Sequence, residues 1–257
     1  MTRNFQVPSG CRLIAHETVG STNEEAKRLA ETGATDGTVV WALEQTAGRG
    51  RHGRQWSSPK GNLYLSAVFR PKCRIAEAPQ LGFVVGVAMA SAIRALSDIP
   101  AELKWPNDLL VSGKKVSGIL LDSSDGGAGG VAWVIAGVGV NVEVHPEDID
   151  GADSLRAFGA TFSVEELLEA FLSRLFDLIG VWSRDGFEPI RICWQELALA
   201  TGTLVSVKLP DQLIGGTFEG IDPSGNLLLR HNDEVLHVAA GDVFPVSAAT
   251  NTSTGAL

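Results

Sequence analysis

The stretch that most limits the architecture is Gly48 to Trp56, G-R-G-R-H-G-R-Q-W. Its glycines have the spacing of a dinucleotide-binding turn, while the residues after them forbid that fold. A G-x-G-x-x-G turn cradles a pyrophosphate only where a helix starts at the third glycine and an acidic residue follows about 20 positions on. Here Gly53 leads into R-Q-W-S-S-P-K-G-N, where Pro59 and Gly61 break any helix, and then into the strand-like L-Y-L-S-A-V-F from Leu63. The glycines therefore belong to a loop between two strands, and a doubly wound nucleotide-binding sheet is excluded. Arg49, Arg51 and Arg54 add three guanidinium groups within six positions. A planar guanidinium grips carboxylate or phosphate through paired hydrogen bonds, and glycine leaves backbone N–H groups open to the same guest. The loop reads as an anion site; the competing reading is a solvated surface turn.

The flanking patterns place that loop. S-T-N-E-E-A-K-R-L-A-E-T-G from Ser21 predicts a helix with a capping box, Ser21 or Thr22 with Glu24 or Glu25, ending at Gly33. A β-branched strand over 37–44 delivers the loop, and a second strand over 63–69 leaves it. Residues 81–96 are apolar almost throughout, but the run is short for a membrane span and contains Arg94, so a buried helix over 79–96 is expected. Strands follow near 101–104, 108–111, 115–121 and 131–138, with a hairpin turn at 112–114 and a longer flexible loop at 122–130. Two amphipathic helices lie near 163–182 and 186–199. Short connections between sequential strands imply an α+β fold, a mixed and largely antiparallel sheet with helices packed on one face. From Thr201 short alternating strands with turns at 210–211, 222–225 and 231–233 indicate a small β-barrel. The expected division is 1–199, 200–247 and a disordered tail at 248–257.

A net charge of −9 argues against a general nucleic-acid binder, so the arginine loop is a basic spot on an acidic body. Cys11, Cys73 and Cys193 are odd in number and form no C-x-x-C pair, which suggests neither a disulfide framework nor a zinc site. A reducing, cytoplasmic setting fits, and the first ten residues lack the apolar core of a signal peptide.

Four strings carry a resemblance. S-T-N at Ser21, Q-T-A-G-R-G-R-H-G-R-Q-W from Gln45, K-W-P-N-D from Lys104 and K-V-S-G-I-L from Lys115 occur in the order found in biotin protein ligases, and G-V-G-V-N ending at Asn141 matches that family's G-x-G-x-N strand. The chain resembles this family from about His16 to Val246, in the type without an N-terminal DNA-binding domain, since only about 20 residues precede Ser21. The resemblance implies a catalytic domain with the fold of class II synthetases and biotin ligases, followed by a small barrel. It also implies a reaction in two steps. The carboxylate of biotin attacks the α-phosphate of ATP, brought as its Mg2+ complex, to give biotinyl-5'-AMP; a lysine of the biotin carboxyl carrier domain of acetyl-CoA carboxylase then displaces AMP.

Residue by residue, the resemblance gives Ser21, Thr22, Asn23 and Gln45 to the ureido ring of biotin, and Arg49, Gly50 and Arg51 to a loop folded over biotin and the adenylate phosphate. Lys104 sits between carboxylate and phosphate and, with Arg51, is the catalytic pair. Arg54, Trp56, Asn107 and Asn141 face the nucleotide, while Lys115 and Gly118 shape the pocket wall. Asp108 either holds the turn or reaches magnesium, His52 is assigned no role, and no protein metal site or tightly bound prosthetic group is assigned. A loop this rich in glycine is expected to be disordered when empty and to close over the adenylate. The rival activities are a lipoate or octanoate transferase of the same superfamily and a noncatalytic module that binds biotin or a nucleotide. No contact with DNA or membrane is expected, and a homodimer is left open.

Overall fold

The computed structural model of the chain describes residues 5–245, so the expected tail at 248–257 lies outside the described residues. A seven-stranded sheet is built from β1 (Arg12–Val19), β2 (Thr38–Gln45), β3 (Leu63–Phe69), β4 (Glu102–Lys104), β5 (Asp108–Val111), β6 (Lys114–Gly127) and β7 (Gly130–Val140) in the order β1-β2-β3-β7-β6-β5-β4. Only β1 and β2 run parallel; the other pairs are antiparallel. The exception follows from connectivity, because helix α1 (Thr22–Glu31) lies between them, and a parallel pair needs such a crossover. The sequence reading missed β1. As an edge strand it is exposed or half-buried along its length, and R-L-I-A-H-E-T-V shows no clean alternation.

Helices α2 (Gln80–Leu96), α3 (Val164–Asp185) and α4 (Glu188–Leu197) lie close to their expected positions. Val39, Trp41, Leu65, Ala67 and Phe69 point into the core that α2 and α3 cover, whereas Val40, Val68 and Ile135 point the other way, onto Ala26 and Ala30 of α1. Helices thus cover both faces, not one. The two-residue period explains it, since the central strands are apolar at odd and even positions alike.

The hairpin expected at 112–114 is present, with Ser112 and Gly113 at φ 49° and 76°. The flexible loop expected at 122–130 is instead an extension of β6 and β7 that turns at Ala128 and Gly129, with register shifts beside Asp125. Its Gly, Ser and Asp residues mislead because the ribbon is largely exposed and needs no apolar alternation.

Five antiparallel strands, β8 (Leu204–Lys208), β9 (Leu213–Ile221), β10 (Leu227–His231), β11 (Glu234–Val238) and β12 (Asp242–Pro245), form the C-terminal sheet in the order β11-β10-β9-β8-β12. Its inner residues share the main apolar core: Phe218 packs on Trp194 of α4, which meets Phe83 of α2, and the Trp105 indole donates to Gly225 O at 3.0 Å. That packing brings the outer strand β12 over the arginine loop.

Candidate active site

A cleft of about 420 Å³ opens on the sheet face that carries α1. Every residue expected at the site lines it: Ser21, Thr22, Asn23, Gln45, Arg49, Gly50, Arg51, Arg54, Trp56, Lys104, Asn107, Lys115, Gly118 and Asn141. Glycines 118, 137 and 139 give it a flat floor. A Cβ at Gly139 would lie 2.5 Å from Trp56 Nε1, and one at Gly137 would overlap the Asn23 amide oxygen, so bare backbone is what lets these side chains lie against the strands.

At one end, the start of α1 forms a polar nest. The expected capping box is absent: Ser21 makes no side-chain capping bond. Gln45 Oε1 on β2 takes that place, accepting from Thr22 N at 2.8 Å and Thr22 Oγ1 at 3.0 Å. Gln45 Nε2 donates to Ser58 Oγ at 2.9 Å. Ser66 Oγ lies 2.5 Å from Asn23 Oδ1, and Asn23 Nδ2 donates to Asp122 Oδ2 at 3.2 Å. All these amides are pinned by partners, which orients them for a ligand that both donates and accepts.

At the other end the cations gather. Lys104 ends β4 and Asp108 begins β5 directly opposite it, while Lys115 reaches in from β6. Lys104 Nζ lies 2.8 Å from Asp108 Oδ2 and Lys115 Nζ 2.5 Å from Asp108 Oδ1, with Asp108 only 8% exposed. Burial alone would raise the Asp108 pKa, but the two ammonium groups outweigh it and hold the carboxylate below its usual range. Lys115 also lies 5.5 Å from the centre of the Trp56 ring, and Lys104 5.6 Å from that of Phe244. Expected only as wall, Lys115 therefore supplies a second ammonium.

The arginine loop, expected to be disordered when empty, is a folded hairpin. Arg49 bridges to Gln55, Gly50 N donates to Arg54 O at 2.8 Å, and His52 and Gly53 take the left-handed turn at φ 55° and 73°. Arg51 donates to Asn107 Oδ1 at 2.9 Å and to Asp242 Oδ1 on β12 at 3.2 Å; Arg54 reaches Asp242 Oδ2 at 3.3 Å. These anchors tie the hairpin to β12 and to the turn before β5. Of the three arginines, Arg51 turns inward and Arg54 sits on the rim. Arg49 pairs with Glu24 and is 58% exposed in its side chain.

Asn107 spends its amide on structure, with Nδ2 donating to Ile119 O at 2.9 Å, and Asn141 Nδ2 donates to Asp153 O at 3.1 Å. Sequence reasoning missed Asp242, Phe244 and the wall at Ile149 to Ala152, all of which line the cleft. No local motif marks them; only the packing of the C-terminal sheet brings the first two there. Among the described residues no group of three or more His, Cys, Asp or Glu side chains could hold a metal.

The chain matches the model of the biotin/lipoate A/B protein ligase family over residues 16–141 and that of the biotin protein ligase C-terminal domain over 202–244. It is 38% identical to a biotin--[acetyl-CoA-carboxylase] ligase of Paracoccus denitrificans, over 87% of this chain and 96% of the relative. Among solved structures it resembles the biotin protein ligase from Aquifex aeolicus in complex with biotin and ATP, at a TM-score of 0.78 and 31% identity over 90% of this chain and 97% of that one. It also resembles the biotin protein ligase from Leishmania major in complex with biotinyl-5-AMP, at a TM-score of 0.62 and 28% identity over 94% and 100%. Cleft, fold and sequence agree, and the chain belongs to the biotin protein ligases of the biotin/lipoate A/B protein ligase family.

Proposed function

We propose that this protein activates biotin as biotinyl-5'-AMP with ATP and transfers the biotinyl group to a lysine of the biotin carboxyl carrier domain of acetyl-CoA carboxylase. One observation carries the reading: Lys104, Lys115 and Arg51, from three separate segments, converge on a single cleft. A carboxylate attacking a phosphate must overcome the repulsion of two anions, and fixed cations in a water-poor site remove that obstacle.

Ser21, Thr22, Asn23 and Gln45 hold the ureido ring. The carboxylate then points toward Lys104, Lys115 and Arg51. Its oxygen bonds to the α-phosphorus while the bridging oxygen leaves with pyrophosphate. Trp56, Arg54, Asn107 and Asn141 stand on the nucleotide side, and Arg51 over the anhydride shields it from water. In the second step the acceptor amine attacks the acyl carbon, AMP leaves and the amine proton is lost. No side-chain nucleophile is needed. Magnesium fits as part of the ATP complex, held by the phosphates, because both Asp108 oxygens face lysines and, among the described residues, no group of three or more His, Cys, Asp or Glu side chains could hold a metal.

Residues 1–199 form the catalytic unit and 200–247 the C-terminal unit in this reading. The three free thiols suit a reducing cytoplasm. Isotope exchange between pyrophosphate and ATP tests the activity. Biotin should stimulate exchange and lipoate should not; stimulation by lipoate alone would make the protein a lipoate ligase, and tight biotin binding without exchange would make it a binding module.

A further inference from the structure

We infer that Asp108 is a positioning residue that keeps two ammonium groups charged and aimed at one point, with the incoming carboxylate and phosphate taking over its ionic contacts. The inference rests on the activity proposed above and concerns how the same cleft works.

The geometry has three parts. One buried carboxylate faces Lys104 Nζ with one oxygen and Lys115 Nζ with the other, at 2.8 and 2.5 Å. It stands on the backbone ladder between the strands bearing those lysines, since Asp108 pairs with Lys104 on one side and with Gly118 on the other. Among the described residues no backbone N–H of the turn donates to it; the turn is tied by Asn107, through Arg51 and Ile119 O. A residue that merely closed the turn would spend its oxygens on the turn.

The surroundings explain why a counter-ion is required. Arg51 approaches through Asn107, Arg49 and Arg54 stand on the loop, and the carboxylates of Asp150 and Asp242 are the other acids lining the cleft. Asp242 is occupied by Arg51 and Arg54. The aromatic rings of Trp56 and Phe244 cover the two lysines but cannot neutralise them. Without Asp108 the two ammonium groups that now share one carboxylate face each other with no counter-ion between them, and their repulsion favours loss of a proton from one of them. Substrate anions take over the ionic contacts of the carboxylate during reaction, so both ammonium groups keep a counter-ion from the empty cleft to the adenylate.

Biotin-dependent pyrophosphate exchange from pH 7 to 9 tests this in the full chain. Asp108→Asn is expected to raise KM for biotin and to lose activity at least tenfold across that range, while the parent protein stays nearly flat. Adding Lys115→Met to Asp108→Asn should abolish the alkaline loss, because the remaining ammonium no longer faces the second one that shared its counter-ion. Asp108→Glu, which keeps the charge and lengthens the arm, should raise KM yet keep the flat profile, and it serves if the amide variant does not fold. A flat profile for Asp108→Asn, an effect of Lys115→Met that simply adds to it, or an alkaline loss in Asp108→Glu overturns the inference. Absence of exchange in the parent protein overturns the proposed activity instead.

Discussion

Replacing Gly137 with alanine tests the polar nest without replacing any side chain of it. The new methyl would overlap Asn23 Oδ1 and lie 2.8 Å from its Cγ and 3.0 Å from its Nδ2, so the whole amide must move. Moving it breaks the contact with Ser66 Oγ at 2.5 Å and the bond to Asp122 at 3.2 Å, both with partners from neighbouring strands. At about 1 kcal/mol for each buried hydrogen bond, the variant should lose about 2 kcal/mol of stability and about 5 °C in melting temperature. The same displacement takes Asn23 out of reach of the ureido group, which should weaken biotin about tenfold to a hundredfold. Calorimetric titration with biotin, alongside thermal unfolding, reads both effects. Unchanged biotin affinity in a variant that melts lower would refute the placement of the ureido group at Asn23, and unchanged stability would refute the packing argument itself.

Three further outcomes follow from other parts of the molecule. Gly180→Ala, on the exposed face of α3 where no atom stands within 4 Å of the new methyl, should raise stability by about 0.5–1 kcal/mol and leave biotin binding alone, as thermal unfolding and titration would record. Arg51→Gly removes the bonds to Asn107 and Asp242 and should let the adenylate escape, so that added bystander proteins become biotinylated; labelling confined to the carrier domain would contradict this. Asp222 is buried, which raises its pKa, yet the bonds from His237, Asn226 and Ser224 hold it at about 2. A depressed carboxyl stabilises the fold above its ordinary value of 3.8 and loses that contribution as the pH falls toward 2, so denaturant titrations between pH 5 and 2 should show a decline of about 1–2 kcal/mol that Asp222→Asn lacks.

The parts of this design that a reader of the sequence finds are those written locally. A buried strand such as L-Y-L-S-A-V-F or the apolar run of α2 declares itself, because the residues that must avoid water are contiguous. The loop arginines and Lys104 are legible for a similar reason, since unusual side chains sit beside glycine or proline in short strings. What escapes is relational. β1 is a strand because β2 lies beside it, and the 122–130 ribbon because its two halves pair with each other. Lys115 becomes a second cation only when β5 and β6 set Asp108 between it and Lys104. Gln45 caps a helix 23 positions earlier in the chain, a contact that no capping pattern around Ser21 announces.

Asp242, which holds Arg51 from 191 positions away, gives the far end of the polypeptide a say in chemistry encoded near its beginning. As the chain emerges from the ribosome, the glycine hairpin and the lysines are complete long before β12 exists, and until that strand zips onto β8 Arg51 has Asn107 as an anchor but lacks Asp242. A tag or truncation that frays residues 242–245 should therefore loosen Arg51 and be felt as leakage of the activated vitamin and not as simple unfolding.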